Sequence, residues 1–126
     1  MRAITVRQPY ASEILSGEKK VENRNFFTQP GDILICAGKA GDGDGPRGAA
    51  LCIARVIGFV YEIEGGEIVA EVPDLPDGEM VEIDGYNPGS IGWLLRNIRP
   101  VEQVPVRGMP GIFRVDDQDI KILPPG

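Results

Sequence analysis

The residues best suited to chemistry lie between Gly17 and Arg24, where three charged side chains of different types fall close together. Lys19 lies at the corner between an expected helix and the expected next strand, on which Glu22 and Arg24 are two residues apart. Alternate residues of a strand share a face. An ammonium, a carboxylate and a guanidinium gathered there can bind a phosphate or a base edge, with Glu22 accepting from an amine or orienting Lys19. The same spacing also fits a solvent-exposed strand face with an ion pair, so both interpretations stay open.

Two further segments carry polar side chains that could reach a ligand. The Gly-rich segment 38–48 contains Lys39 but lacks the Gly-Lys-Ser/Thr of a phosphate loop and the downstream Glu of a calcium loop. We interpret it as a surface loop that closes over a ligand, with a plain connector as the alternative. Downstream, Ser90 and Arg107 flank Trp93, whose apolar surroundings predict core packing. If its indole instead lines a pocket, it can stack a base while Arg107 contacts phosphate.

Composition excludes several mechanisms. The chain has 126 residues and no histidine, so relays that need imidazole are absent and acid–base chemistry falls to carboxylates, Lys, Tyr or Cys. Its two cysteines, Cys36 and Cys52, lie in apolar runs that predict buried, structural thiols. We expect no cofactor and no metal.

The charge is unevenly distributed along the chain. Residues 1–58 hold eight Lys/Arg against six Asp/Glu, whereas residues 59–126 hold five against thirteen, so the formal net charge of -6 belongs to the second half. An acidic chain is poorly suited to bind nucleic acid non-specifically, although it can still contain a local basic site. No segment has the length and apolarity of a membrane span. We therefore expect a cytoplasmic protein. We also expect a monomer in preference to an oligomer.

Hydrophobic patterning predicts the elements that must position these residues. Tyr10–Ser16 reads as a short helix with one apolar stripe, ended by Gly17. The sequence also predicts many short strands separated by Gly/Pro turns, at 3–6, 20–26, 32–37, 49–63, 68–72, 80–83, 91–98, 104–106, 111–115 and 120–123. We therefore predict one domain over residues 1–126, of α+β class and mostly β, built as a small, mostly antiparallel barrel with a helix packed on it. Residues 62–86 form an acidic, variable excursion within it.

Several motifs together resemble a known family. The runs Gln8-Pro9-Tyr10-Ala11, Gly17-x-Lys19-x-x-Glu22-x-Arg24 and Pro30-Gly31-Asp32-Ile33-Leu34-Ile35 resemble the N-terminal half of ASCH domains, a β-barrel family similar to PUA domains. Trp93-x-Leu95 and Pro105-x-x-Gly108-x-x-Gly111-x-Phe113 resemble the closing strands of that family. The resemblance covers both ends of the chain and leaves residues 62–86 unaccounted for.

This resemblance implies a barrel of about six strands with one or two short helices packed on it. It also implies a cleft whose motif residues are Lys19, Glu22 and Arg24, and a function in binding RNA or nucleotides. One branch of the family removes an acyl group from N4-acetylcytidine, and there the matching lysine activates a threonine that stands where this chain has Glu22. A hydroxyl can attack an amide carbonyl, whereas Glu22 would act as a base on water or as a ligand acceptor. Two neighbouring cations favour its carboxylate form, which favours recognition over catalysis.

The sequence thus favours recognition of a nucleoside, a nucleotide or a short single-stranded RNA by a defined set of side chains: Lys19, Glu22, Arg24, Arg7, Gln8, Lys39, Ser90 and Arg107. Two alternatives stay open. One is an enzyme, either a deacylase similar to N4-acetylcytidine amidohydrolases or a ribonuclease, in which Lys19 is catalytic with Glu22 or Ser90 as its partner. The other is a protein-interaction module whose acidic half forms the interface.

Overall fold

The computed structural model describes residues 1–124. Within that range the chain forms one α-helix, one short 3-10 helix and seven strands. In chain order these are β1 (Arg2–Gln8), α1 (Tyr10–Ser16), β2 (Val21–Arg24), β3 (Gly31–Gly41), β4 (Ala49–Glu62), β5 (Ile68–Glu71), β6 (Ile91–Pro100), β7 (Phe113–Arg114) and the 3-10 helix Asp117–Asp119.

The strands form one sheet in the order β2-β6-β4-β3-β1-β7, with β5 paired to β4. Strands β1 and β3 pair in parallel, and the other pairs are antiparallel. The predicted class, a small and mostly β fold of α+β type, is confirmed. The hydrogen-bonded path is not closed, because β2 and β7 stand at its two ends.

Helix α1 has the predicted bounds, because an apolar stripe and a terminal glycine mark it in the sequence. Ala11 and Ile14 are fully buried against the sheet, as the apolar stripe requires. Gly17 adopts a φ of 86° and returns its N–H to the carbonyl of Ile14 at 3.1 Å, a conformation that favours glycine. This tight stop leaves Lys19 and Lys20 as the corner between α1 and β2.

Strand β3 is longer than the sequence predicts. It includes the first residues of the segment from Gly38 that is predicted to be a loop. The strand continues to Gly41, where the φ is 117°. A Cβ atom at Gly41 would lie 2.1 Å from the backbone oxygen of Gln8, so only glycine permits this close approach of β1 and β3. The loop therefore starts after Gly41, and Lys39 belongs to the strand.

The core lies on both sides of β3 and β4. The larger cluster includes Ile14 of α1, Ile35 of β3, Val56 of β4 and Trp93 of β6, all fully buried. Trp93 donates its indole N–H to the carbonyl of Phe26 at 3.0 Å, which satisfies the one polar atom that this side chain buries. Core packing of Trp93 is thus the interpretation that holds, and base stacking on it does not.

Of the two strands predicted within residues 62–86, one is present. Residues 68–71 form β5, which pairs with Phe59–Glu62 of β4. The predicted strand at residues 80–83 is wrong, because this segment makes no ladder and lies in irregular structure. Instead Val81 and Tyr86 pack on a small cluster formed by Val21, Val60 and Leu94, which draws the segment back against the sheet beside β2. No helix in the described range has the length and apolarity needed to cross a membrane.

Candidate functional site

A cleft of about 870 Å³ lies where the carboxyl ends of β1 and β3 meet the corner between α1 and β2. Its lining includes Thr5, Arg7, Lys19, Glu22 and Lys39, together with the turn at residues 84–87. Because β1 and β3 run in parallel, both deliver the residues that follow Val6 and Ala37 to this same end of the sheet.

Glu22 is the central charge of the cleft and is almost completely buried, at 7% exposed. Arg24 holds one carboxylate oxygen, Oε2, with Nε at 3.0 Å and Nη2 at 2.8 Å. The same Nη2 donates to the carbonyl of Thr5 at 2.8 Å. Arg24 therefore links Glu22 to β1, and several of its N–H groups are already hydrogen-bonded within the protein.

Lys19 occupies the other side of the carboxylate. Its Nζ lies 3.7 Å from Oε1 of Glu22 and 5.4 Å from the centre of the Tyr10 ring. Within residues 1–124 the ammonium donates no hydrogen bond, although its side chain is only 17% exposed. An ammonium held in place by a carboxylate and a ring face, with its N–H groups still free, is suited to receive an anionic or carbonyl oxygen.

Arg7 and Lys39 reach the cleft through an irregularity in the parallel ladder. Val6 pairs with Ala37, but Gln8 pairs with Gly41, so one residue of β1 lies opposite three of β3. A bulge of this kind redirects side chains at a sheet edge. It exposes Arg7 and Lys39 at the cleft and adds the backbone of Gly38 and Ala40 to its lining.

Three predicted site residues lie elsewhere. Gln8 is fully buried, and its amide links Pro46 to the start of α1: Nε2 donates to the Pro46 carbonyl at 2.9 Å, and Oε1 accepts from the Ser12 N–H at 3.0 Å. Ser90 lines a separate groove, and its hydroxyl bonds to Asn23 and Asn87. Arg107 is exposed and does not line the cleft, although the adjacent Gly108 packs against Thr5 at its border.

Residues that sequence reasoning missed form one wall of the cleft. Asn23 donates from Nδ2 to the carbonyl of Gly85 at 2.9 Å and accepts at Oδ1 from the N–H of Asn87 at 3.0 Å. Lys20 adds an ion pair with Glu82 at 3.0 Å. These contacts place Asp84, Gly85 and Asn87 against the cleft. The only signal in the sequence was the run of turn residues Asp84-Gly85-Tyr86-Asn87-Pro88-Gly89, which predicts turns but not their position.

Comparison with known proteins identifies the family. The family model described as the ASCH domain matches residues 4–100. This chain belongs to the ASCH domain family. The crystal structure of an alanine-substituted mutant of ZmASCH from Zymomonas mobilis is similar in fold, with a TM-score of 0.58 and 14% sequence identity, and the match covers 94% of this chain and 89% of that one. Among curated protein sequences, none matches this chain.

The cleft of this ASCH domain is electrically balanced rather than basic. Four cationic side chains line it, Arg7, Lys19, Arg24 and Lys39, and four carboxylates oppose them, Glu13, Glu18, Glu22 and Asp84. A surface that binds polyanions without selectivity needs an excess of positive charge. Paired charges of both signs suit a ligand with an acidic group and an amine, each at a fixed position.

Other reactive groups of this ASCH domain lie outside the cleft. Burial raises the pKa of the Cys36 and Cys52 thiols to about 12, so neither is a thiolate near neutral pH. Over residues 1–124 there is no cluster of three or more carboxylates and thiols placed to hold a metal ion. Thr5 and Tyr10 are the hydroxyl side chains in the lining of the cleft.

Proposed function

We propose that this ASCH domain binds a nucleotide, or one nucleotide of a short single-stranded RNA, in the cleft around Glu22. The observation that carries the proposal is the arrangement of Lys19 and Arg24 on different oxygens of one buried carboxylate. Glu22 is the acceptor for an exocyclic amine of the base, and the free N–H groups of Lys19 meet a phosphate or a base carbonyl. Arg7 and Lys39, at the mouth of the cleft, serve the adjacent phosphate.

The balance of charge supports a single nucleotide over a long strand. With as many carboxylates as cations around the cleft, few phosphates can be neutralised, and affinity should fall only weakly with salt. The volume of about 870 Å³ lies in the range of small-molecule sites. A ligand with one base and one phosphate satisfies both the carboxylate and the cations.

The test is a titration followed by backbone amide NMR shifts, with cytidine, cytidine monophosphate and a five-nucleotide RNA as separate ligands. We expect shifts at residues 17–26 and 84–87. We expect Lys19→Met to weaken binding by about tenfold, equivalent to about 1.4 kcal/mol. Lys121→Met is the matched control, since Lys121 is 73% exposed and, among residues 1–124, forms an ion pair only with Glu102. If these residues do not shift at millimolar ligand, the proposal is wrong.

A second candidate is an enzyme that acts at the same cleft, favoured by the confined ammonium of Lys19 with its open N–H groups. In RNA the 2′-hydroxyl supplies the nucleophile, so cleavage needs no serine or threonine from the protein. The 2′-hydroxyl gives its proton to water and its oxygen bonds to phosphorus, the bond from phosphorus to the 5′-oxygen breaks, and the 5′-oxygen takes up a proton, which leaves a 2′,3′-cyclic phosphate and a 5′-hydroxyl. Lys19 would stabilise the charge on the phosphoryl oxygens. A deacylase reaction is less well supported, because Glu22 is held by Arg24 and has no hydroxyl to acylate.

These reactions are distinguished with three substrates. Labelled single-stranded RNA, the same RNA with 2′-deoxynucleotides, and N4-acetylcytidine are incubated with the protein and with Lys19→Ala. A ribonuclease is supported if the protein cleaves RNA but does not cleave the deoxy substrate, and if Lys19→Ala cleaves neither. Release of acetate from N4-acetylcytidine, lost in the variant, supports a deacylase. Activity that the variant retains does not belong to this cleft.

A further inference from the structure

The most acidic segment of the chain lies between Arg55 and Arg96. Between Arg55 and Arg96 the sequence contains no Lys or Arg and nine carboxylates, Glu62, Glu64, Glu67, Glu71, Asp74, Asp77, Glu79, Glu82 and Asp84. Within residues 1–124 only Glu82 of these nine has a basic partner, Lys20. Unpaired like charges at this density repel one another, so a cationic partner lowers their electrostatic energy.

The hairpin formed by β4 and β5 presents an open strand edge in this acidic segment. Strand β5 pairs with β4 on one side and with no other strand of the described chain. The bond from the N–H of Ile63 to the carbonyl of Glu67 at 2.9 Å fixes the alternation of the ladder. Ile68 and Ala70 therefore direct their N–H and C=O groups away from β4. Such an edge can accept an added strand through main-chain hydrogen bonds.

An aromatic groove of about 370 Å³ lies next to the hairpin. Phe27 is 51% exposed and makes edge-on contacts with Phe59 and Tyr61, with ring centres 5.3 Å apart in each case. Glu62 lines the same groove, and Glu71 accepts a hydrogen bond from the Tyr61 hydroxyl. Ring faces beside carboxylates are suited to the stem and head of an arginine or lysine side chain.

We propose that the β4–β5 hairpin and the aromatic groove dock an extended, basic peptide segment of a protein partner. The peptide adds as a strand to the outer edge of β5, its cationic side chains meet the glutamates of the hairpin, and one of them lies on Phe27. RNA is disfavoured on this surface because its phosphates would meet unpaired carboxylates. This interaction is independent of the cleft around Glu22.

The test uses a fluorescein-labelled octapeptide of alternating arginine and valine, with fluorescence anisotropy as the readout. We expect this peptide to bind, and a matched peptide with glutamate in place of arginine not to bind. The pair Glu62→Lys and Glu67→Lys should weaken binding by about tenfold, and more so at low salt. Ala70→Pro removes one outward N–H without touching the β4–β5 ladder and should weaken binding by several-fold. Phe27→Ala should do the same.

The control pair is Glu102→Lys and Asp119→Lys, which changes the net charge equally on a different part of the chain. The proposal is overturned if the arginine peptide does not bind at millimolar protein, or if the control pair weakens binding as much as the hairpin pair. It is also overturned if a five-nucleotide RNA, added without the peptide, shifts the backbone amide resonances of residues 62–71. Binding of cytidine monophosphate to the cleft is measured in parallel, so the failure of one proposal is seen separately from that of the other.

Discussion

Asn23 of β2 accepts a hydrogen bond from the backbone N–H of Asn87 at 3.0 Å. The same side chain donates to the carbonyl of Gly85, so a single amide holds both ends of a turn that arrives from a distant part of the chain. The turn is one wall of the cleft, so Asn23 fixes the position of that wall.

We expect Asn23→Ala to free this wall. The loss of two hydrogen bonds to the backbone should lower the free energy of unfolding by about 1–2 kcal/mol. Amide hydrogen exchange should accelerate at residues 85–90 and remain unchanged in β3 and β4. Nucleotide affinity should fall because the wall moves, although Asn23 is uncharged and does not itself attract a phosphate. Asn25→Ala is the control, because Asn25 is exposed and makes no side-chain hydrogen bond within residues 1–124. Equal exchange rates in both variants would contradict this role.

The pair formed by Glu22 and Arg24 should show strong energetic coupling. Arg24→Met leaves a buried carboxylate without its main partner, and we expect a loss of about 3 kcal/mol in the free energy of unfolding. Glu22→Gln with Arg24→Met removes the charge as well and should restore part of that loss. Urea unfolding of the two single variants and the double variant gives the coupling energy. Additive losses would show that the two side chains act independently.

Gly41 should be the least replaceable residue beside the cleft. A Cβ atom there would overlap the backbone of Gln8 at 2.1 Å, so Gly41→Ala must separate β1 from β3. We expect a loss of more than about 3 kcal/mol in stability. Gly43→Ala is the control, because Gly43 also has a positive φ, 78°, but no atom within 4 Å of the added carbon, and we expect about 1 kcal/mol. Thermal unfolding followed by circular dichroism measures both.

The two cysteines should be inert in the native protein and should make stability depend on alkaline pH. Burial raises the pKa of both thiols to about 12, whereas an unfolded chain releases these protons above about pH 8.5. The unfolded state therefore binds fewer protons above that pH, and stability decreases as the pH rises from about 8.5 to 12. Cys36→Ala with Cys52→Ala should flatten this part of the profile. Alkylation of the native protein at pH 8 should proceed at the rate of its unfolding, and faster labelling would contradict the burial.

Sequence patterns predicted what depends on neighbours along the chain. The bounds of α1 followed from an apolar stripe and a terminal glycine, and the convergence of Glu22 with Arg24 followed from the alternation of a strand. Lys19 joined them because Gly17 ends the helix two residues earlier.

Long-range placement could not be predicted in the same way. Asn23 and Gly85 are 62 residues apart, and no local spacing reports that they touch. Gln8 lies next to a motif, and its polar side chain is therefore predicted to face a ligand. In the structure its amide forms hydrogen bonds with Pro46 and Ser12 inside the fold. The assignment of Lys39 to a loop was wrong because the strand extends through a bulge to Gly41.

The parallel pairing of β1 with β3 also bears on how the protein folds. Antiparallel neighbours can form as local hairpins, but a parallel pair must first enclose a long crossover, here α1 and β2. Closing that loop costs entropy before any ladder contact is gained, so this pair should assemble late in folding. The carboxyl ends of the same two strands form the cleft. The proposed ligand site would therefore form near the end of folding, after the local hairpins.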